Sequence, residues 1–434
     1  MLKTGFFLIL ALMCAVVSAG IPGNCPPSFY ERKGLEGMPR IDYAQMPKVN
    51  VCDLGADPSG VKTCNEAFSK GLESLKAKGG GVLYIPSGRY RFASPVSTKD
   101  GRYAWRNEGI ENIHFLGDGP EKSIIFADWD AVKNSGNPAP YLWSFSSCSK
   151  ISFRDLGFTV FPYFAMRSPY ACEGLFHLAF GGNTDVQVLN VFSDQGRMGI
   201  VFWGGNRRCW VVGCDVRNTG ADAVKFDSCE DVVAAYNYIE NNNDDGFSGL
   251  RMSVAPSKNN AFIYNKLVYS RGWGRGVPVS GQNHRVEGNW IEAQGMSGIM
   301  LHEIGYKEKM VDDGEPNGPF RFADNTIIRT NLHNTQKNQL VGHRINGGIG
   351  TYANRVSGCE ISGNLILATQ GDAIGFGKFY SGCKLENITV RGNTMALNLG
   401  GAVWSGCEGI SVLSKVQIQG NRILGNQVNS ILCG

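Results

Sequence analysis

The 434-residue sequence has little that would tie it to a nucleic acid, a bilayer or a metal cluster. Its formal net charge is only +4, and its 42 Lys and Arg are spread without a basic run. That excludes the electrostatic footprint of a nucleic-acid partner or a polybasic membrane contact. After residue 20 no apolar stretch is long enough to cross a bilayer. There is no CxxC and no Cys/His group at zinc spacing, so no metal site is expected from such ligands. Also missing, from about residue 150 onward, is any run of helical periodicity long enough for a helix pair.

What is present points to a turn-rich all-β chain: 43 % hydrophobic residues, enough for a large core, with 57 Gly and 11 % aromatics. The first 20 residues read as a secretory signal peptide, with Lys3, an apolar stretch from Phe6 to Val17, and then Ser18, Ala19 and Gly20. A secreted, extracellular protein is therefore expected. Residues 21–48 read as an N-terminal extension and 49–434 as one domain. Twelve of the 13 Cys lie beyond the leader, and an even count in an exported chain predicts disulfides, Cys52 with Cys64 being the local pair. Asn387-Ile388-Thr389 is a glycosylation sequon.

A phrase recurs from residue 150 onward: apolar residues, often Gly, then Asn, then more apolar residues. It centres on Asn190, Asn237, Asn265, Asn289, Asn325, Asn364, Asn393 and Asn421, with Cys214 in the same place in "VVGCDV". Successive spacings are 24, 23, 28, 24, 36, 39, 29 and 28, the period of a solenoid. Each repeat holds only short runs rich in Val, Ile, Phe and Tyr, so each is one turn of a parallel β-helix. The Asn side chains are expected to stack as a ladder that satisfies backbone groups. An open solenoid needs a cap, and "CNEAFSKGLESLKAKGGG" predicts a helix burying Ala67, Phe68, Leu72 and Leu75, ended by Gly79, Gly80 and Gly81.

Residues 49–92, "VNVCDLGADPSGVKTCNEAFSKGLESLKAKGGGVLYIPSGRYRF", resemble the opening segment of the pectate-lyase-like superfamily, and "IHFLGDGPEKSIIF" resembles its first full turn. The resemblance implies a right-handed, single-stranded parallel β-helix with an N-terminal capping helix. Such folds serve hydrolases, lyases, epimerases and phage adhesins, so function must come from a site.

Alternation in the strands that open each turn sends Ile200, Val224, Phe226, Phe247 and Ile299 inward, and Lys225, Asp227, Ser248 and His302 outward. Asp222 and Asp245 take equivalent places on consecutive turns, so Asp222, Asp244 and Asp245 are expected to meet at one spot. Glycoside hydrolysis needs such a group: one protonated carboxyl for the leaving oxygen and ionised ones to activate water. "NTGAD" and "NNDDG" are similar to the two aspartate motifs of polygalacturonases, glycoside hydrolase family 28. That resemblance implies Asp244 as general acid, Asp222 and Asp245 as the carboxylates on water, and inversion. It breaks at "GRG", with Arg275 where the family has His, and at "MLH", with Met300 and His302 for Arg-x-Lys.

Lys225, Asp227, Arg251, Arg275, His302 and Trp273 are the candidate substrate-binding residues, and Arg271 is a further cation for charge recognition. Trp203, Trp273 and Tyr352 are candidate sugar-stacking rings. The partner is a polysaccharide, no cofactor is expected of a hydrolase, and a monomer is the expected state. Two readings compete. A Ca²⁺-dependent lyase or epimerase would use Lys225 or Arg275 as base, with Asp222, Asp227 and Asp245 on the metal. A non-catalytic glycan-binding β-helix would use the aspartates only as turn residues. The loops after His302 and Asn325 are expected to wall a polymer groove.

Overall fold

The computed structural model describes residues 30–433 except 94, 100, 129–139, 162–173, 253–255, 273, 303–316, 333–345, 354, 378–383, 406–412, 415, 416 and 427. The leader, Trp273 and the two loops expected to wall a groove lie outside the described residues. Among those described, no helix is long and apolar enough to cross a membrane.

Each turn of the chain contributes one short strand to each of three faces. The first face is a fourteen-stranded sheet running from Lys48–Asn50 to Leu413–Ser414 and Gln417–Gln419, and the second a thirteen-stranded sheet from Ser59–Thr63 to Arg422–Leu424. The third face is two sheets. One has seven strands and ends at Phe247–Ser248; the other has six and begins at Val277–Val279. They are joined by an isolated bridge, Gly249 to Val279, and by backbone bonds such as Phe247 N–H to Gly276 O at 2.9 Å. Pairing is parallel apart from Val96–Thr98 against Gly101–Glu108. This is the expected parallel β-helix.

The strands form because alternate residues stack in apolar columns inside the coil. On the first face Val186, Cys209 and Val232 are in register, as are Val188, Val211 and Ala234. On the third face Phe145, Phe180, Phe202 and Phe226 stack ring on ring, with centroids 5.9, 4.6 and 5.0 Å apart. Each buried Phe contributes about 1.5–3 kcal/mol. The cap is the expected helix, α1 (Asn65–Lys76), which buries Ala67, Phe68, Gly71, Leu72 and Leu75. Phe68 meets Tyr90, Phe92, Trp105 and Trp143 edge-on at 5.1–5.8 Å and so closes the open end.

The asparagine ladder is continuous from Asn237 through Asn265, Asn289, Asn325, Asn364 and Asn393 to Asn421. Each amide donates at 2.9–3.0 Å to the next side-chain oxygen, which also accepts a backbone N–H. Cys214 joins by its backbone N–H, bonded to Asn237 at 2.8 Å. Asn190 does not belong. It sits one place earlier, at φ 49°, and bonds Asp155. Its column continues as Gly213, Tyr236, Tyr264, Gly288, Asp324, Gly363 and Gly392, all at φ 55–66°. The left-handed turn between the first two faces needs that conformation, which is why Gly so often precedes the ladder Asn.

The expected disulfides are absent among the described residues: Cys52, Cys64, Cys148, Cys209, Cys214, Cys229 and Cys359 are free thiols. Cys52 Sγ lies 3.4 Å from the Tyr90 hydroxyl, and Cys64 Sγ faces the Asp57 and Lys62 carbonyls, so the two are engaged elsewhere. The others described are buried and fill space as small apolar groups.

Residues 30–46 form a strap across the outside of the first sheet. Leu35 and Met38 pack on Leu189, Trp210, Val212, Ala235 and Ile263. The strap is pinned by Tyr43 to Ser152 at 3.1 Å, Gln187 to the Pro39 carbonyl at 2.7 Å and Tyr236 to the Lys33 carbonyl at 2.8 Å.

Candidate active site

The site lies on the third face at the seam between its two sheets. Three consecutive turns place Asp222, Asp245 and Arg275 at the same position, two residues before Val224, Phe247 and Val277. Backbone bonds fix the alignment: Ala223 N–H to Asp245 O at 2.9 Å and Gly246 N–H to Arg275 O at 2.9 Å. Asp244 is one residue earlier, its N–H bonded to the Ala221 carbonyl at 3.3 Å. The asparagines before it are its supports: Asn242 bonds the Asp244 carbonyl, and Asn243 bonds the Gly220 carbonyl at 3.1 Å. Gly274 lets this loop approach, since a Cβ there would stand 2.5 Å from the Asp244 carbonyl oxygen. A Cβ at Gly276 would stand 2.3 Å from the Gly298 carbonyl oxygen. "GRG" is thus a local necessity that holds Arg275 in place.

The three carboxylates converge as expected, with an oxygen of each within 4.8 Å of the others. Arg275 grips Asp245 through two bonds, Nε to Oδ1 at 2.7 Å and Nη2 to Oδ2 at 2.9 Å, and reaches Asp244 at 3.9 Å. Lys225 Nζ is 3.3 Å from Asp222 Oδ2, and Asp222 Oδ1 accepts the Asp245 N–H at 3.1 Å. Asp222 and Asp245 are 3 % and 2 % exposed, whereas the Asp244 side chain is 39 % exposed. Asp244 is therefore the carboxyl presented to a ligand.

Electrostatics separate the three. Desolvation of Asp244 and the Asp222 charge beside it push its pKa up to about 6, against the pull of Arg275 and Lys225. Burial pushes Asp245 well up too, opposed by Arg275. Both Asp245 oxygens accept from one guanidinium, the geometry of a carboxylate, because arginine keeps its proton. Burial works against the Lys225 charge, but Asp222, Asp227 and Asp245 outweigh it and hold the ammonium above its usual range.

The other expected residues divide. Lys225 and Ser248 are on the outer side of their strands but covered, at 8 % and 1 % exposure. Arg275 is committed to Asp245 and so is unavailable as a free anchor for a substrate carboxylate. His302 lies where burial and the Arg275 charge hold its imidazole well below the usual range, hence neutral. Asp227 is in the cluster's field and accepts from Ser228 at 2.9 Å and from the Met252 N–H at 3.2 Å, while burial pushes its carboxyl up. Arg251 follows the last strand of the seven-stranded sheet and bonds Ser280 Oγ through its backbone at 2.6 Å. Arg271 donates to the Thr219 carbonyl at 2.7 Å and braces the loop. Trp203 stands beside Lys225, its ring centre 5.5 Å from Nζ.

A divalent cation could draw on the same three carboxylates. Here the Asp245 oxygens are taken by Arg275 and those of Asp222 by Lys225 and a backbone N–H, leaving Asp244 the least committed. Sequence reasoning passed over Arg197, which sits two turns before Asp244 in the same row and carries no motif.

Fold and site together define a right-handed parallel β-helix with a carboxylate cluster on its third face. A family model described as a right handed beta helix region matches residues 176–306, the turns that carry the cluster. Mannuronan C5-epimerase AlgE1 of Azotobacter vinelandii is 32 % identical over 76 residues, 18 % of this chain and 5 % of its own length, so the chain spans a small part of that relative. The catalytic unit of a GH87 α-1,3-glucanase from Streptomyces thermodiastaticus strain HF3-3 matches with a TM-score of 0.63 at 16 % identity, over 91 % of this chain and 70 % of that one. PfbA, a surface adhesin of Streptococcus pneumoniae, matches with a TM-score of 0.52 at 14 % identity, over 89 % and 93 %. At such identities the solved structures speak for the fold.

Proposed function

We propose that this protein is a carbohydrate-active enzyme, a glycoside hydrolase acting on a polysaccharide, with Asp244 as the general acid. The observation that carries the reading is the division within the cluster: a partly exposed Asp244 titrating near 6, between two carboxylates whose charges Lys225 and Arg275 offset. An acid poised near neutral pH protonates the leaving oxygen, and Asp222, beside the Lys225 ammonium, draws the proton from water. Asp245, locked to Arg275, acts by its charge and by fixing the loop. The likeness to α-1,3-glucanases supports a glycosidase on this scaffold.

The resemblance to polygalacturonases implies inversion, with water attacking opposite the leaving oxygen, whereas retention would pass through a covalent glycosyl-enzyme. The anomer first released, read by proton NMR, decides between them. An epimerase or lyase is the second reading, favoured by the matched segment of mannuronan C5-epimerase. It needs a neutral base at the sugar, whereas Lys225 and Arg275 are both held charged by aspartates. The test is a screen against polyuronates, sulfated galactans and neutral glucans, reading reducing ends and the absorbance of unsaturated products. Reducing ends without new absorbance, lost in Asp244→Asn, are expected. New absorbance that survives the substitution would overturn the hydrolase.

A further inference from the structure

N-terminal to the carboxylates, the outer side of the third face carries a file of rings in register with Asp222. Tyr103, Tyr141, Phe176 and Met198 precede it on successive turns. Tyr103 and Tyr141 stack at 5.0 Å, and Tyr141 and Phe176 lie 4.7 Å apart. Tyr141, Phe176 and Met198 form an apolar cluster of their own with Val201, Ala221 and Trp203, outside the coil's interior. Both tyrosines are half-buried, so part of each ring faces solvent.

Arg197 lies over this file, its guanidinium 5.6 Å from the centre of Phe176. Its charge reaches Tyr141, where it opposes the rise that burial gives the phenol. The Ala221 N–H bonds the Arg197 carbonyl at 2.7 Å, and the Asp244 N–H bonds the Ala221 carbonyl, so Arg197 and Asp244 stand in one row two turns apart. At the usual strand spacing that is about 10 Å. Four other cations of this face are spoken for: Lys225 by Asp222, Arg275 by Asp245, Arg271 by a carbonyl, Arg106 by Glu108. Among the described residues Arg197 makes no ion pair, and its Nε is buried without a hydrogen-bond partner. The guanidinium thus rests half-buried on the Phe176 ring without a counter-charge, and an anionic ligand would complete it.

We infer that Arg197 anchors an anionic group, a uronate carboxylate or a sulfate ester, of a glycan lying lengthwise over Tyr103 and Tyr141 with its scissile bond at Asp244. The inference deepens the hydrolase reading, on which it rests for the position of that bond; the contact itself is one of binding. It also explains how an acidic polymer is recognised when Arg275 is taken by Asp245.

The experiment measures binding, so that it answers separately from catalysis. The full chain carrying Asp244→Asn is titrated by calorimetry with a polyuronate, a sulfated galactan and a neutral glucan, with and without Arg197→Ala and Arg197→Lys. We expect one anionic polymer to bind and Arg197→Ala to weaken it about tenfold or more, with Arg197→Lys intermediate. Neutral glucan should bind no better than the background. Which anionic polymer loses affinity identifies the group as carboxylate or sulfate. Near-UV circular dichroism checks that both variants fold, and Arg197→Lys keeps the test open if Arg197→Ala does not. Unchanged affinity for both anionic polymers in the folded variants, or tighter binding of neutral glucan, would overturn the inference. Arg197-dependent binding without cleavage by the unsubstituted protein would sink the hydrolase and leave the anchor standing.

Discussion

If Asp244 is kept protonated partly by the neighbouring Asp222 charge, removing that charge must make Asp244 a stronger acid. Two unit charges no more than 4.8 Å apart, oxygen to oxygen, repel by about 3.5 kcal/mol or more at an effective dielectric of about 20. Asp244 is 39 % exposed, and solvent screens much of this, leaving roughly 1–1.5 kcal/mol. Asp222→Asn should therefore lower the Asp244 pKa by about 1 from its value near 6. Carboxyl-carbon NMR titration reads this without needing activity. Lys225→Met removes a charge that favours the carboxylate and should shift the same titration upward. In the unsubstituted protein the alkaline limb of the proposed activity follows: kcat/KM falls as pH rises through about 6, because the protonated form is the active one. An Asp244 that titrates near 4, or that ignores Asp222→Asn, would refute the electrostatic argument and the acid assignment with it.

Further outcomes follow from named contacts. Asp244→Asn should cost about 10²–10⁴ in kcat with the fold intact, measured on whichever polymer is cleaved. Arg275→Met strands the buried Asp245 carboxylate and should destabilise by about 3–5 kcal/mol in urea melts, most of it regained in Arg275→Met with Asp245→Asn. Asn289→Ala breaks the ladder and leaves the Asn265 N–H and the Phe262 carbonyl without their partner, about 1–3 kcal/mol for each group. Asn190→Ala, off the ladder, loses one partly buried bond to Asp155 and puts Ala at φ 49°, about 1–2 kcal/mol in all, and equal losses at the two positions would contradict the register described.

The fold was legible because a β-helix writes itself into sequence at every turn. The ladder asparagines, the left-handed residue before them and the capping helix are each local requirements repeated or flanked by turn signals. Asn190 misled because it occupies the left-handed place, where Asn and Gly are alike favoured, one step from the ladder. The Cys count misled because thiols that fill a coil's interior look, in composition, like thiols that pair. In the site, alternation and spacing were enough to bring Asp222, Asp244 and Asp245 together. They were insufficient for Arg275, whose guanidinium turns to Asp245 and away from any ligand, a matter of side-chain reach. Arg197 was invisible for a different reason: its significance is that it lacks a counter-charge, and pairing is a property of three-dimensional neighbours.

The strap of residues 30–46 changes how the coil comes apart. In a solenoid each turn touches only the turns beside it, so pulling on one end should peel it turn by turn, with a force trace of many small, similar steps. The strap bonds Ser152, Gln187 and Tyr236 in one sweep, and its side chains rest on Trp210 and Ile263. Peeling from the C-terminus would run freely until it met the turns under the strap, then stall until the clasp tore and several turns released at once. Those turns carry Asp222, Asp244 and Asp245 on their other side, so the segment holding the carboxylates is released as one block and not turn by turn.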